Sequence, residues 1–238
     1  MKIALVGYGK MGKAIEEIAL GKGYEIILKI NDENLSELNA GNLQKCDVAI
    51  EFTNPESAIE NMRTCIAAGV PVVCGSTGWV EQEYAIKQFC TEHNGSLLYS
   101  SNFSIGVNIF FEINRQLAAL MSQQNSYNVS IEETHHTQKK DAPSGTAISI
   151  AQQIISERGD KKHWTLHTPS IDEILIESKR IDPAPGTHNV RYTSMIDDLE
   201  IIHTAHSRKG FAAGALAAAE FIIGKKGIFS MKDVLKMN

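Results

Sequence analysis

Between Glu133 and Ala147 the sequence reads ETHHTQKKDAPSGTA. His135 and His136 are imidazoles, groups that change charge near neutral pH. Lys139 and Lys140 add ammonium charge, and Asp141-Ala142-Pro143 leads into Ser144-Gly145-Thr146. Ser144 has the residue type and position of a helix N-cap, which would leave the amides of Gly145 and Thr146 without intrahelical acceptors. Free N–H groups at a helix start suit a carboxylate or phosphate. Lys139 and a histidine could complete the clamp with charge-assisted hydrogen bonds. The chemistry such a set points to is an anion held and a proton moved. Duller alternatives are a solvated lysine pair, exposed loop histidines, or half a metal site. Metal would need further ligands at fitting distance, for which His203-x-x-His206 is the candidate, and no metal is expected.

The elements around this stretch must hold it still. Asn128 to Thr134 alternates polar and apolar, the pattern of a strand with one buried face. Continued by one residue, that strand puts His135 on the face of Val129 and Ile131, and His136 on the other. From Ser144 to about Glu157 the apolar stripe Ile148, Ile150, Ala151, Ile154 and Ile155 predicts a helix. Val107–Met121 also reads as a helix, with Ile109, Phe110, Ile113, Leu117 and Leu120 toward a core. Ile171–Ile181, His188–Ser194 and Leu199–Thr204 read as strands. Residues 105–207 therefore form an expected α+β domain with an open, mixed and mainly antiparallel sheet. Its second face needs covering, and self-association is one way to do so.

The first hundred residues have a different rhythm. Lys2–Val6 reads as a strand, Gly7-Tyr8-Gly9-Lys10-Met11-Gly12 as a tight loop, and the residues up to Gly21 or Gly23 as a helix. Strands over Glu25–Ile30, Asp47–Phe52, Val70–Cys74 and Ser96–Ser100 follow, with helices over Glu56–Ala68 and Glu81–His93. Such alternation builds a parallel sheet flanked by helices. G-x-G-x-x-G between a first strand and a helix is the dinucleotide fingerprint: a tight turn at Gly7, backbone approach at Gly9, close helix packing at Gly12. Asp32 stands about 20 residues on, beside Asn31, where a carboxylate accepts from a ribose 2′-OH. No arginine or lysine lies between Asn31 and Ala40, which tilts the cofactor from NADPH toward NADH, although Lys10, Lys13 or Lys29 could reach a phosphate. Gly75-Ser76-Thr77 and Ser100-Ser101-Asn102-Phe103, after the fourth and fifth strands, are small and polar where a nicotinamide would lie.

Bulk properties narrow the class. The 238 residues suffice for one large or two modest domains, with 43% hydrophobic and 21% charged residues. A net charge of -5 argues against nonspecific nucleic-acid binding. No apolar run approaches the roughly 20 residues that span a bilayer, and MKIALVGYGK lacks a secretory signal's apolar region. Cys46, Cys65, Cys74 and Cys90 show no C-x-x-C spacing, as expected of reduced thiols in a cytoplasmic protein.

GYGKMG, EFTNPESA, GVPVVCGSTGW, SNFSIGVN, ETHHTQKKDAPSGTA, HTAHSRKGFAAGA and GIFSMKDVL occur in this order from Gly7 to Leu235. In them the chain resembles the dihydrodipicolinate reductase family, the 4-hydroxy-tetrahydrodipicolinate reductases of bacterial lysine and diaminopimelate biosynthesis. HH-x-x-K-x-DAPSGTA is the most specific piece. The resemblance implies a Rossmann-type doubly wound sheet over residues 1–104 and 208–238, the chain returning from about Arg208. It implies a substrate-binding and oligomerisation domain over 105–207, assembled into a homotetramer. The implied reaction is reduction of a cyclic imine dicarboxylate by NADH or NADPH, with hydride added at ring C4 of the dehydrated form and a proton at the neighbouring ring carbon. His135 would be the acid/base residue, Lys139 the second proton donor, His136 a substrate ligand, and the Gly145–Thr146 amides a carboxylate grip. Gly7 to Gly12, Gly75 to Thr77 and Ser100 to Phe103 match cofactor contacts, and Arg208 a basic residue near the substrate end of the hinge. Asn31-Asp32 replaces a common Glu-Arg, the glycine loop is one residue short, and Arg180-Ile181-Asp182-Pro183 replaces a glycine-containing turn. None of these departures is expected to touch the chemistry. Rival readings are a nicotinamide-responsive binding module and an amino-acid dehydrogenase on the same nucleotide fold.

Overall fold

The computed structural model describes residues 1–207 and 209–237, apart from the Val80 side chain; Arg208, singled out above, lies outside them. In chain order the elements are β1 (Lys2–Val6), α1 (Lys10–Gly21), β2 (Glu25–Ile30), α2 (Ala40–Leu43), β3 (Val48–Glu51), α3 (Pro55–Ala67), β4 (Val72–Cys74), α4 (Glu83–Glu92) and β5 (Ser96–Tyr99). Then come α5 (Ile105–Met121), β6 (Asn128–His135), α6 (Gly145–Glu157), β7 (His163–Thr165), β8 (Glu173–Arg180), β9 (Gly186–Thr193) and β10 (Asp198–Ala205). The chain closes with α7 (Lys209–Ile222), β11 (Gly227–Phe229) and α8 (Met231–Val234). Two compact units result, one spanning Met1–Ile105 and Lys209–Asn238, the other Gly106–Arg208.

In the first unit the strands lie in the order β11-β5-β4-β3-β1-β2, every pair parallel. Both faces of such a sheet are covered, which is why β1 and β3 are apolar at nearly every position. Ile15 and Ala19 of α1 share one core with Leu216 and Ala219 of α7; Ile59 and Met62 of α3 and Ile86 of α4 build the other. Strand order reverses beside β1, so the ends of β1 and β3 frame the crevice where this architecture takes its ligands. Asn54 starts α3 at that edge, its side chain accepting from Ser57 N–H at 2.9 Å, with Pro55 in the first helical turn. α7 is rich in alanine and glycine, and a Cβ on its Gly214 would meet the Phe103 carbonyl at 1.7 Å.

The second unit has the strand order β10-β9-β6-β8-β7. β10–β9 and β9–β6 are antiparallel whereas β6–β8 and β8–β7 are parallel, so the sheet is evenly mixed rather than mainly antiparallel. The parallel half follows from α6, a crossover helix between β6 and the next strands, and from β7, a three-residue strand too short to read by alternation. Phe110 and Ala118 of α5 pack with Ile150 and Ile154 of α6 against Val129, Ile131, Ile176, Val190 and Tyr192. The opposite sheet face carries Ser130, Glu132, Asn189, Arg191, Glu200 and the 59% exposed Ile202.

α5 corrects the sequence expectation. It buries Val107, Phe110, Asn114, Ala118 and Met121, while Ile109, Ile113 and Leu120 are exposed. Phe110 is buried and Leu117 packs against the core as expected, but apolar residues occur on more than one side of this helix, so periodicity alone misplaces the other three. The buried stripe includes a polar residue with a reason to be there: Asn114 donates to the Ile150 carbonyl at 3.2 Å and to Gln153 Oε1 at 2.9 Å, tying α5 to α6. Among the described residues, no helix is long and apolar enough to cross a membrane.

Candidate active site

The first unit presents a groove made mostly of backbone. Gly7 has φ +97°, and a Cβ there would lie 2.1 Å from the Phe52 carbonyl, so the turn out of β1 admits glycine alone. A Cβ on Gly12 would lie 2.5 Å from the Gly7 carbonyl, whereas one on Gly9 would meet nothing within 4 Å. Gly9 is thus the glycine that leaves space, as a loop approached by a phosphate requires. A cavity of about 300 Å³ runs along Gly7, Gly9, Asn31, Asp32 and Thr53. A second, of about 470 Å³, shares Gly9, Phe52, Thr53 and Asn54 and extends to Lys10, Met11 and Gly75–Thr77.

The side chains around this groove divide into two kinds. Asp32 is exposed on its wall, while Asn31 Oδ1 is turned back to accept from Glu33 N–H at 2.9 Å. Lys29 pairs with Glu16 at 2.6 Å and lies 5.0 Å from the centre of the Tyr8 ring, whose hydroxyl donates to the same Glu16. Ser76 accepts from Thr53 N–H at 2.8 Å, and Ser100 donates to the Asn102 carbonyl at 2.7 Å, so both hydroxyls shape their own loops. Thr77 and Ser101 are exposed. Phe103 turns into the core against Phe52, ring centres 5.7 Å apart, which leaves its backbone for any ligand contact.

The second unit presents charged side chains instead. β6 alternates as expected, with Val129, Ile131, Glu133 and His135 all on the buried face. Glu133 is completely buried. Its Oε1 accepts from Ser144 N–H at 3.1 Å, Ser178 Oγ at 2.9 Å and Arg180 Nη2 at 3.2 Å. Its Oε2 lies 3.4 Å from His135 Nδ1 and 3.8 Å from His188 Nε2. Burial opposes this negative charge, but the adjoining His135 and hydrogen bonds from Ser144 and Ser178 outweigh it and hold the carboxyl well below the ordinary carboxylate range. Burial, and then the neighbouring His135, push His188 down to about 4, so it is neutral at physiological pH.

The loop after β6 is tied on both sides. Thr137 donates through N–H at 3.1 Å and Oγ1 at 2.6 Å to Asp182, and Arg180 donates to the carbonyls of Lys139 at 3.3 Å and Asp141 at 2.5 Å. Lys139 Nζ sits 2.8 Å from Asp141, and that hydrogen bond lowers the Asp141 carboxyl. Ser144 caps α6 as expected, accepting from Ala147 N–H at 3.2 Å, and its hydroxyl lies 3.2 Å from His188 Nε2. Gly145 is exposed, and as first and second helical residues Gly145 and Thr146 point their N–H groups off the helix end. The structure thus brings His135, Lys139, Gly145 and Thr146 to one end of this unit, with His136 at the start of the same loop.

Two family models cover nearly the whole chain: "Dihydrodipicolinate reductase, N-terminus" over residues 1–103 and "Dihydrodipicolinate reductase, C-terminus" over residues 106–235. The chain belongs to this family. It is 48% identical to a 4-hydroxy-tetrahydrodipicolinate reductase of Christiangramia forsetii, across 99% of this chain and 98% of that one. A reductase of the same name from Methanosarcina barkeri is 37% identical over 95% of this chain and 81% of its own. Among solved structures, a dipicolinate-bound dihydrodipicolinate reductase from Paenisporosarcina sp. TG-14 shares the fold with a TM-score of 0.77, 23% identity and 97% coverage of both chains. The protein is accordingly an NAD(P)H-dependent oxidoreductase that forms tetrahydrodipicolinate in lysine and diaminopimelate biosynthesis.

Within a dihydrodipicolinate reductase chain, sequence reasoning missed four groups that the structure joins to the HH-x-x-K motif: Glu133, Ser178, Arg180 and His188. Arg180 bears on one expectation. It begins the Arg180–Pro183 stretch, which is not expected to touch the chemistry, and it bonds the carboxylate beside His135. The available signal was Glu133 itself, a charged residue on the apolar face of an alternating strand.

Proposed function

We propose that His135 and Lys139 deliver the proton of this reduction, that His136 and the Gly145 and Thr146 amides hold the dicarboxylate, and that the backbone groove of the first unit holds the cofactor. The observation that carries the reading is the convergence, at the start of α6, of two unpaired amides with His135 and Lys139. A carboxylate placed on those amides gains hydrogen bonds and the favourable end of the helix dipole. The solved relative described as dipicolinate-bound supports a planar dicarboxylate as the ligand class.

The groove fits a nicotinamide dinucleotide on its own geometry. Open space at Gly9, the forced turn at Gly7 and the exposed Asp32 are what a pyrophosphate and an adenosine ribose need. When bound, the reduced cofactor supplies hydride to ring C4. The chain's own residues do the rest: the amides and Lys139 orient the ring and offset its charge, and His135 donates a proton to the neighbouring ring carbon. Asp32 and the engagement of Lys29 by Glu16 favour NADH over NADPH, because a carboxylate accepts from a ribose hydroxyl and repels a 2′-phosphate. The reading includes a homotetramer assembled over the open sheet face of the second unit. It also includes a cytoplasmic setting, in keeping with four free, buried cysteines.

His135→Gln tests the assignment. Turnover should fall by about 10²–10⁴ while the dissociation constant for NADH, followed by fluorescence, stays unchanged. Normal turnover per bound cofactor would contradict it.

A further inference from the structure

We infer that Glu133 is a positioning residue that decides which nitrogen of His135 does the chemistry: the carboxylate holds Nδ1–H, and Nε2 carries the proton that reaches the substrate. This deepens the reading of His135 as proton donor and rests on it.

Two edges of one imidazole are treated differently. Nδ1 points inward at the fully buried Glu133 Oε2, 3.4 Å away, and both atoms are buried without a hydrogen bond, Oε2 otherwise meeting only His188 Nε2 at 3.8 Å among the described residues. The Nε2 edge lies over Gly186, where a Cβ would come within 3.0 Å. One edge therefore faces a fixed anion, and the other faces a position kept free of any side chain. A carboxylate accepting from one ring nitrogen sets tautomer and ring orientation. The carboxylate is itself immobilised, since its other oxygen takes bonds from Ser144 N–H, Ser178 and Arg180.

The charged and titratable surroundings favour this arrangement. From β9, His188 stands edge-on to His135 with ring centres 5.2 Å apart, and burial keeps it neutral. From β8, Arg180 bonds the far carboxylate oxygen. Lys139 acts on His188 from the loop, and His203 of β10 lies behind it. Glu133 is thus the anion next to His135. The ligand atoms of Glu133, His135 and His188 lie within 4.8 Å of one another, a grouping that could also attract a metal ion. The Arg180 guanidinium on the same carboxylate opposes a second cation there. In the proton step, Nε2–H of the imidazolium passes to the ring carbon that neighbours C4. The new C–H bond takes the electron pair left by hydride addition, and His135 becomes the neutral Nδ1–H form, still bonded to Glu133.

Glu133→Gln keeps the volume and removes the charge. Expected are a kcat lowered about 100-fold, an unchanged KM for NADH, and a basic limb of the kcat pH profile displaced to lower pH, because an imidazolium loses its anion. Gly186→Ala, which crowds Nε2, should lower kcat about tenfold with the same cofactor affinity. Wild-type kcat and pH profile in Glu133→Gln, with His135→Gln inactive, would overturn the positioning role while leaving the donor assignment intact. Full activity in His135→Gln would overturn the underlying reading. Should Glu133→Gln fail to fold, ¹⁵N spectra of histidine-labelled wild-type protein decide the matter. Neutral His135 as the Nδ1–H tautomer supports the inference, and the Nε2–H tautomer overturns it. Loss of activity on dialysis against EDTA would also overturn it, in favour of a metal.

Discussion

Each unit buries one glutamate completely at the C-terminal end of a strand, and the two are partnered in opposite ways. Glu51, ending β3, accepts from Thr53 N–H at 3.0 Å, from the Thr53 hydroxyl, from Asn61 at 3.4 Å and from the Cys74 thiol at 3.1 Å. These donors are uncharged, and burial with Glu51 beside it pushes the Cys74 thiol far above its ordinary value. Glu133, on β6, is surrounded by a guanidinium and two imidazoles. The first carboxylate serves as an architectural pin, gathering the β3 and β4 loop ends next to the glycine groove. The second is an electrostatic element, set against a guanidinium and two imidazoles. A buried acid signals chemistry when its partners are basic groups, and scaffolding when they are neutral donors.

The sharpest way to break the comparison is truncation. Glu133→Ala strands a guanidinium and should cost about 3–5 kcal/mol of unfolding free energy. Glu51→Ala leaves neutral donors unpaired and should cost about 1–3 kcal/mol. Urea unfolding of both variants checks this, and equal costs would remove the distinction.

Acid should separate the two regions next. The unfolded chain protonates His188 near pH 6.5, but the folded protein does so only near pH 4, so stability falls as pH drops between those values. The loss from this group is on the order of 3 kcal/mol. Glu133, held ionised below the ordinary carboxylate range, adds a further loss on the acid side of about pH 4.5. Urea midpoints at pH 7, 5.5 and 4.5 should decline steadily in the wild type and much less in His188→Gln. A flat profile in the wild type would contradict the buried, neutral His188.

Smaller effects are expected where backbone does the binding. Asp32→Ser should move the NADPH-to-NADH ratio of kcat/KM upward by about tenfold, on the order of 1.4 kcal/mol; an unchanged ratio would detach Asp32 from cofactor choice. Thr146→Val should change the substrate KM by less than about threefold, because the amide rather than the side chain holds the anion. Thr146→Pro removes that N–H at a helical position proline tolerates, and should raise KM far more.

How much of this is legible in the sequence follows from chain distance. Gly7, Gly9, Gly12, the Ser144 cap and the alternation of β6 are local signals, set by residues within a few positions of one another, and each is where the pattern puts it. Arg180 and Ser178 reach Glu133 across 47 and 45 residues, and His188 arrives through the β9–β6 pairing. No periodicity encodes such meetings, and the even mix of parallel and antiparallel pairs in the second sheet is hidden for the same reason. In α5 the failure is different: Ile109 and Ile113 compete with Val107 and Asn114, and packing against α6 decides which stripe is buried.

The most direct measurement is a crystal structure with bound pyridine-2,6-dicarboxylate. One carboxylate should lie within hydrogen-bond reach, about 3 Å, of the Gly145 and Thr146 amides, with the ring edge facing His135 Nε2. An inhibitor lodged away from residues 135–146 would contradict the account.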